Sequence, residues 1–125
     1  MEKVIIERDK VCVYCGVPFT TPEQCRRTSP SWEHIVNNAR IVTLENISRC
    51  CVSCNASKGT KDLSDWLEST YCKKKGISAE TVADVVKKAL INPPRLEDVS
   101  AYLFKCIKPR PLGVVRVQRL CQLNR

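Results

Sequence analysis

Apolar residues recur at helical spacing in the second half of the chain and fall into short runs in the first. Leu63, Trp66 and Leu67 stand at i, i+3 and i+4, with Asp62, Asp65 and Glu68 on the opposite side. This pattern predicts an amphipathic helix from about Asn55 or Ser57 to Thr70, with Gly59 loosening its first turn. Lys73-Lys74-Lys75-Gly76 closes that block. Ser78 is a good N-cap for a second helix from Ala79 to about Ile91, whose stripe is Val82, Val85, Val86, Ala89 and Leu90. Pro93-Pro94 stops it, and Leu96, Val99, Leu103 and Cys106 mark a third helix, about Leu96 to Ile107. After Pro109 and Pro111, Val114-Val115-Arg116-Val117 reads as a terminal strand.

The first half reads differently. The β-branched run Val4-Ile5-Ile6 predicts a strand leading to Cys12-Val13-Tyr14-Cys15-Gly16, and Gly16 suits a tight turn whose N–H groups face thiolate sulfur. Val17 to Ser31, with Pro18, Pro22 and Pro30, is irregular connection. Trp32 to Val36 predicts a strand, Asn37-Asn38 a turn, and Arg40 to Leu44 a loop or brief strand, before Asn46-Ile47-Ser48-Arg49 leads into a second Cys pair. The class is therefore α+β. With 125 residues the chain is one domain, 1–125, in which a helical extension, 77–125, packs on a motif region, 12–70.

Charge adds a partner. The net charge is +8, and from Val99 to Arg125 there is no acidic residue while Lys105, Lys108, Arg110, Arg116, Arg119 and Arg125 are basic. Such a field favours a polyanion, because each neutralised phosphate releases counterions; solubility alone is the alternative. The N-terminal segment has no signal-peptide apolar region, and no stretch approaches the roughly 20 apolar residues of a membrane span. A cytoplasmic protein without membrane contact is expected.

Nine cysteines, an odd number, with two pairs at x-x spacing, favour reduced thiols and metal over a disulfide framework. Cys12, Cys15, Cys51 and Cys54 match the tetrahedral preference of Zn²⁺, and four protein ligands leave no position for water, so the zinc would be structural. Cys50 with Cys54 is a competing pair; the x-x spacing of Cys51 forms the tighter knuckle. Cys25, Cys72, Cys106 and Cys121 have no partner at ligand spacing and are expected to be small buried apolar residues.

His34 is the only histidine, preceded by Glu33. Cys12-x-x-Cys15, Glu33-His34-Ile35, Glu45-Asn46-Ile47 and Cys51-x-x-Cys54-Asn55-x-x-Lys58 occur in this order. No single piece is specific, but the ordered set resembles the zinc-containing branch of the HNH endonuclease family, over roughly Cys12 to Trp66. Two positions depart from that pattern: Glu33 stands where Asp is more usual, and Asn37-Asn38-Ala39-Arg40 replaces a frequent Gly-Gly.

The resemblance implies a ββα-metal (HNH/His-Me finger) core with a structural four-cysteine zinc site and additional C-terminal helices. It also implies hydrolysis of DNA phosphodiesters, double-stranded DNA being the expected substrate, to 5′-phosphate and 3′-hydroxyl. Carried over by position, Glu33 and Asn55 would hold the catalytic Mg²⁺ or Mn²⁺ and His34 would be the general base. Asn46 would hold the loop that aims His34. An imidazole titrates close enough to neutrality to take a proton from water, and a hard cation with few protein oxygens keeps positions open for phosphate. Lys58, Lys61, Arg40 and Arg49 are candidate phosphate contacts, and Trp32 and Trp66 candidate core. Each site residue also has a plainer reading: Glu33 as a solvated strand residue, Asn46 as a turn-former, Asn55 as a helix N-cap. A non-catalytic zinc-stabilised nucleic-acid-binding module is the alternative function. One active site cuts one strand, so the enzyme is expected as a monomer that nicks or a homodimer.

Overall fold

The computed structural model describes residues 1–100. Its only sheet among these residues is a two-stranded antiparallel one, β1 (Pro30–His34) with β2 (Ile47–Cys51), in the register Pro30↔Cys51 to His34↔Ile47. A helix, α2 (Val52–Lys58), leaves β2 without an intervening residue. Side chains alternate across a strand, so Ser31 and Glu33 share one face with their partners Cys50 and Ser48, while Trp32 and His34 share the other with Arg49 and Ile47.

Each face buries a separate apolar cluster. The larger contains Val13, Tyr14, Cys50, Trp66, Leu67, Cys72, Val82 and Val86, and the smaller joins Ile5, Val42 and Ile47 with half-buried Trp32. Trp66 is fully buried and meets Tyr14 edge-on at 4.9 Å between ring centres, in agreement with its expected core role.

The expected strand at Val4-Ile5-Ile6 is instead a helix, α1 (Glu2–Arg8). Only Ile5 of the run is buried, against Val42 and Ile47, while Val4 and Ile6 remain exposed. The helix is docked by its last residues: Arg8 donates to the carbonyls of Leu44 (2.7 Å) and Ile47 (2.8 Å), and Asp9 accepts from the Arg49 N–H at 3.1 Å. These bonds hold one apolar side chain against the sheet, and local β propensity yields to them.

The helix expected over Asn55/Ser57 to Thr70 is in fact two, and a third begins where it was expected to end. α2 begins earlier, at Val52, and ends at Gly59, whose φ of +53° lies in the region that favours glycine. α3 (Leu63–Leu67) is capped by Asp62, whose carboxylate accepts from the Ser64 N–H, and α4 (Thr70–Lys75) by Ser69. The apolar stripe runs on through these helices, and the caps inside it act as stops.

Ser78 does not cap the next helix. Its N–H donates to Thr81 Oγ1 at 2.8 Å, and residues 78–82 form a turn. α5 (Asp84–Ile91) starts later, where the Ala83 N–H donates to the Val13 carbonyl at 2.9 Å and ties the helix to the first Cys pair. Of the expected stripe, Val82 (just before the helix), Val86 and Ala89 are buried, while Val85 and Leu90 are partly buried against the same core. Residues 96–100 are helical; the rest of the expected third helix, the strand at Val114-Val115-Arg116-Val117 and most of the basic tail lie outside the described residues. No helix among the described residues is long and apolar enough to cross a membrane.

Candidate functional site

The two knuckles meet. The sulfurs of Cys12, Cys15, Cys51 and Cys54 all lie within 4.8 Å of one another. Bonds of about 2.3 Å at tetrahedral angles put ligand sulfurs about 3.8 Å apart, and Cys15 Sγ to Cys51 Sγ is 3.8 Å. The cluster can therefore hold a metal such as zinc. Two of the sulfurs already accept backbone N–H groups, Cys12 from Cys15 and Cys51 from Cys54, each at 3.4 Å. Hydrogen bonds from Cys51 and Cys54 hold the Cys12 thiol well below its ordinary range, and the same contact with Cys12 pushes Cys51 up to about 11. The tight turn expected at Gly16 is present: the Cys15 N–H faces the Cys12 sulfur, and the Gly16 N–H closes the turn on the Cys12 carbonyl at 2.9 Å, with φ at +76°.

Cys50 is not part of the cluster. It points to the other side of β2, where its thiol lies 3.7 Å from Ser31 Oγ and burial pushes its pKa up. The competition between Cys50 and Cys51 is thus settled by strand alternation: Cys51 reaches the knuckle, Cys50 the core. Cys72 is buried as expected, whereas Cys25 is exposed, next to the 3-10 turn Arg26–Thr28. Its segment is irregular and short of apolar neighbours, and hydrogen bonding with Thr28 lowers its thiol pKa.

One residue outside the sequence expectations completes the surroundings of the cysteine cluster. Tyr71 of α4 donates its hydroxyl to Cys54 Sγ at 3.3 Å, meets Ser53 Oγ at 2.9 Å and stacks on Trp66. Burial, reinforced by the bond to Cys54, raises the Tyr71 hydroxyl pKa. Its position after two helix caps gave no sequence signal.

The Glu33-His34 segment is the edge of β1 over which α2 lies, and α2 is bonded to four successive residues of it. Asn55 Nδ2 donates to Ser31 Oγ (3.0 Å) and to the Trp32 carbonyl (3.2 Å). Lys58, one turn on, places Nζ 2.9 Å from Glu33 Oε2 and donates to the His34 carbonyl at 3.3 Å. Asn55 is a helix residue and not the N-cap, which is Cys51. Glu33 is not solvated: it is 5% exposed and also accepts the Tyr14 hydroxyl at 2.6 Å. His34 ends β1, half-buried, on the opposite strand face from Glu33.

Asn46 is fully buried and spans the loop between the strands. Its Oδ1 accepts the Val36 N–H at 2.7 Å, and its Nδ2 donates to the carbonyls of Val36 (3.2 Å) and Ile41 (3.0 Å). Asn46→Ala is expected to destabilise the protein by about 2–3 kcal/mol, because the Val36 N–H and the Ile41 carbonyl lose their partner, while the Val36 carbonyl keeps only the Asn38 N–H. Denaturant unfolding checks this, and a loss below about 0.5 kcal/mol would mean the loop holds its shape without the amide.

The four candidate phosphate contacts divide. Arg40 and Lys61 are exposed, and Arg49 is half-buried with its guanidinium 4.8 Å over the Phe19 ring. Lys58 is 1% exposed and directed inward onto Glu33, so it offers no surface charge. Its spacing from Asn55 puts the two on one helix face, a signal the sequence did contain. Comparisons with protein-family models, with curated proteins and with solved structures return no match for this chain.

Proposed function

We propose that the protein is a metal-dependent DNA endonuclease of the HNH type. The observation that supports this reading is the bonding of α2 to residues 31–34, through Asn55 to Ser31 and Trp32 and through Lys58 to Glu33 and the His34 carbonyl, which brings the helix bearing Asn55 against the strand that ends in His34. Both Asn55 contacts with β1 run through Nδ2, so neither uses the amide oxygen, the atom suited to a hard cation. His34 takes the proton from the attacking water. Asn46 holds the loop that follows His34 through Val36 and Ile41. When bound, Mg²⁺ or Mn²⁺ supplies charge stabilisation at the phosphoryl and leaving 3′-oxygens. The four thiols hold a structural Zn²⁺ that fixes the start of the chain to the β2–α2 junction. Arg40, Arg49 and Lys61 contact the phosphate backbone, and reduced thiols suit a cytoplasmic setting.

Incubation with supercoiled plasmid, with and without Mg²⁺ or Mn²⁺, tests this directly. Nicked product alone fits a monomer, and concentration-dependent linear product a homodimer. If metal-loaded protein binds DNA and leaves it intact, the non-catalytic zinc-stabilised binding module is the correct reading.

DNA binding is expected to weaken steeply with salt, log K falling linearly in log[salt]. Replacing Arg116 and Arg119 by alanine should flatten that slope by about 1.8 if both meet phosphate. Fluorescence anisotropy over a salt series reads it, and an unchanged slope assigns the tail to solubility.

A further inference from the structure

A carboxylate that serves a hydrated, phosphate-bound cation must be reachable from solvent. Glu33 is not: it is 5% exposed, and the two groups on its Oε2, the Tyr14 hydroxyl and the Lys58 ammonium, are each 1% exposed. Those partners come from different parts of the fold. Tyr14 lies inside the first knuckle, between Cys12 and Cys15, and Lys58 closes α2 three residues beyond Asn55. The same ammonium reaches the His34 carbonyl. One buried ion pair with a charge-assisted O–H bond therefore joins the metal knuckle, the strand that ends in His34 and the helix that bears Asn55.

We infer that Glu33 is a positioning residue: clamped by Tyr14 and Lys58, its carboxylate locks β1 to α2 and so sets His34 relative to Asn55, and it does not bind the catalytic cation. This rests on the endonuclease reading and changes its ligand set, leaving Asn55 as the oxygen ligand on α2. Lys58 is part of the same lock, acting through Glu33 and His34 and not on phosphate. The lock costs desolvation of two charges, which the short pair and the extra hydrogen bonds offset only while both partners are present.

The test follows from that asymmetry. Glu33→Gln and Lys58→Met singly each leave one buried group without its counter-charge, and each is expected to lower the melting temperature by more than about 10 °C. Together they remove both charges, while the side-chain amide introduced by Glu33→Gln can still accept from Tyr14. The double variant should melt within about 5 °C of the wild type. Cleavage should follow the same course. A displacement of about 1 Å can cost about 100-fold, so the single variants should lose at least that much. The double variant should return to within about tenfold, with its Mn²⁺ half-saturation within about threefold of the wild type. If it recovers its melting temperature while cleavage stays lost or Mn²⁺ half-saturation rises more than tenfold, Glu33 is a cation ligand and the inference fails. If Lys58→Met alone melts like the wild type, there is no lock.

The sole imidazole gives a reading that does not need activity. The His34 ring resonances should shift in each single variant and return in the double one, and resonances unmoved in the single variants would overturn the inference. Should the wild-type protein cut no DNA, the endonuclease reading falls, while these resonances and melting temperatures still decide whether the lock exists.

Discussion

Serine in place of any one of Cys12, Cys15, Cys51 or Cys54 is expected to leave the chain largely unfolded and without zinc. The four sulfurs lie within 4.8 Å of one another and are drawn from two segments far apart in sequence: the turn before Gly16 and the junction of β2 with α2. Structural zinc sites contribute about 10–16 kcal/mol of apparent binding energy at neutral pH, at least as much as the whole stability of a small domain. Losing a ligand or removing the ion with a chelator therefore removes most of what favours the folded state. Circular dichroism and metal analysis on the same samples read both consequences, with about one zinc expected per wild-type chain. Cys50→Ala is the control, because Cys50 faces Ser31 in the core; it should retain its zinc and lose only modest stability. A folded, zinc-free wild-type protein would refute the assignment, and loss of zinc in Cys50→Ala would reopen the choice between Cys50 and Cys51.

The thiol cluster was readable in the sequence because x-x spacing is itself a geometry: two sulfurs three residues apart in a turn converge with little help from the rest of the fold. The preference for Cys51 over Cys50 rested on the x-x spacing, and the alternation of β2, which the sequence had not marked as a strand, then turns Cys50 away. Asn46 was legible as a loop holder, although its three bonds could not be counted without knowing where Val36 and Ile41 turn back. The helices of the second half were legible as stripes but not as segments, since Asp62, Ser69 and Thr81 compete for backbone groups inside the apolar pattern. Val4-Ile5-Ile6 misleads for a different reason: α1 is held by Arg8 and Asp9 gripping β2, a contact between distant parts of the chain. Lys58 misleads most. A lysine is rarely buried, and its burial here depends on Glu33, a partner from another element whose orientation only the register with β2 fixes.

Replacing His34 by alanine is expected to lower DNA cleavage by about 10²–10⁴ while leaving zinc content, folding and DNA affinity nearly unchanged. The chain has no second histidine, so no neighbouring imidazole can take over the proton. The fold should tolerate the change because His34 ends β1, half-buried, and its backbone contacts survive: the pairing with Ile47 and the carbonyl that accepts from Lys58. Asn55→Ala should behave differently. It removes the amide oxygen proposed as the cation's ligand together with two bonds from α2 to β1, so both Mn²⁺ half-saturation and stability should worsen. High Mn²⁺ should then restore part of the activity of Asn55→Ala and none of that of His34→Ala, since added metal cannot supply a missing base. Single-turnover rates across a Mn²⁺ titration separate the two patterns. Wild-type cleavage by His34→Ala would remove the general base from the proposal, and with it the chemical reason to regard this zinc-compatible scaffold as a nuclease.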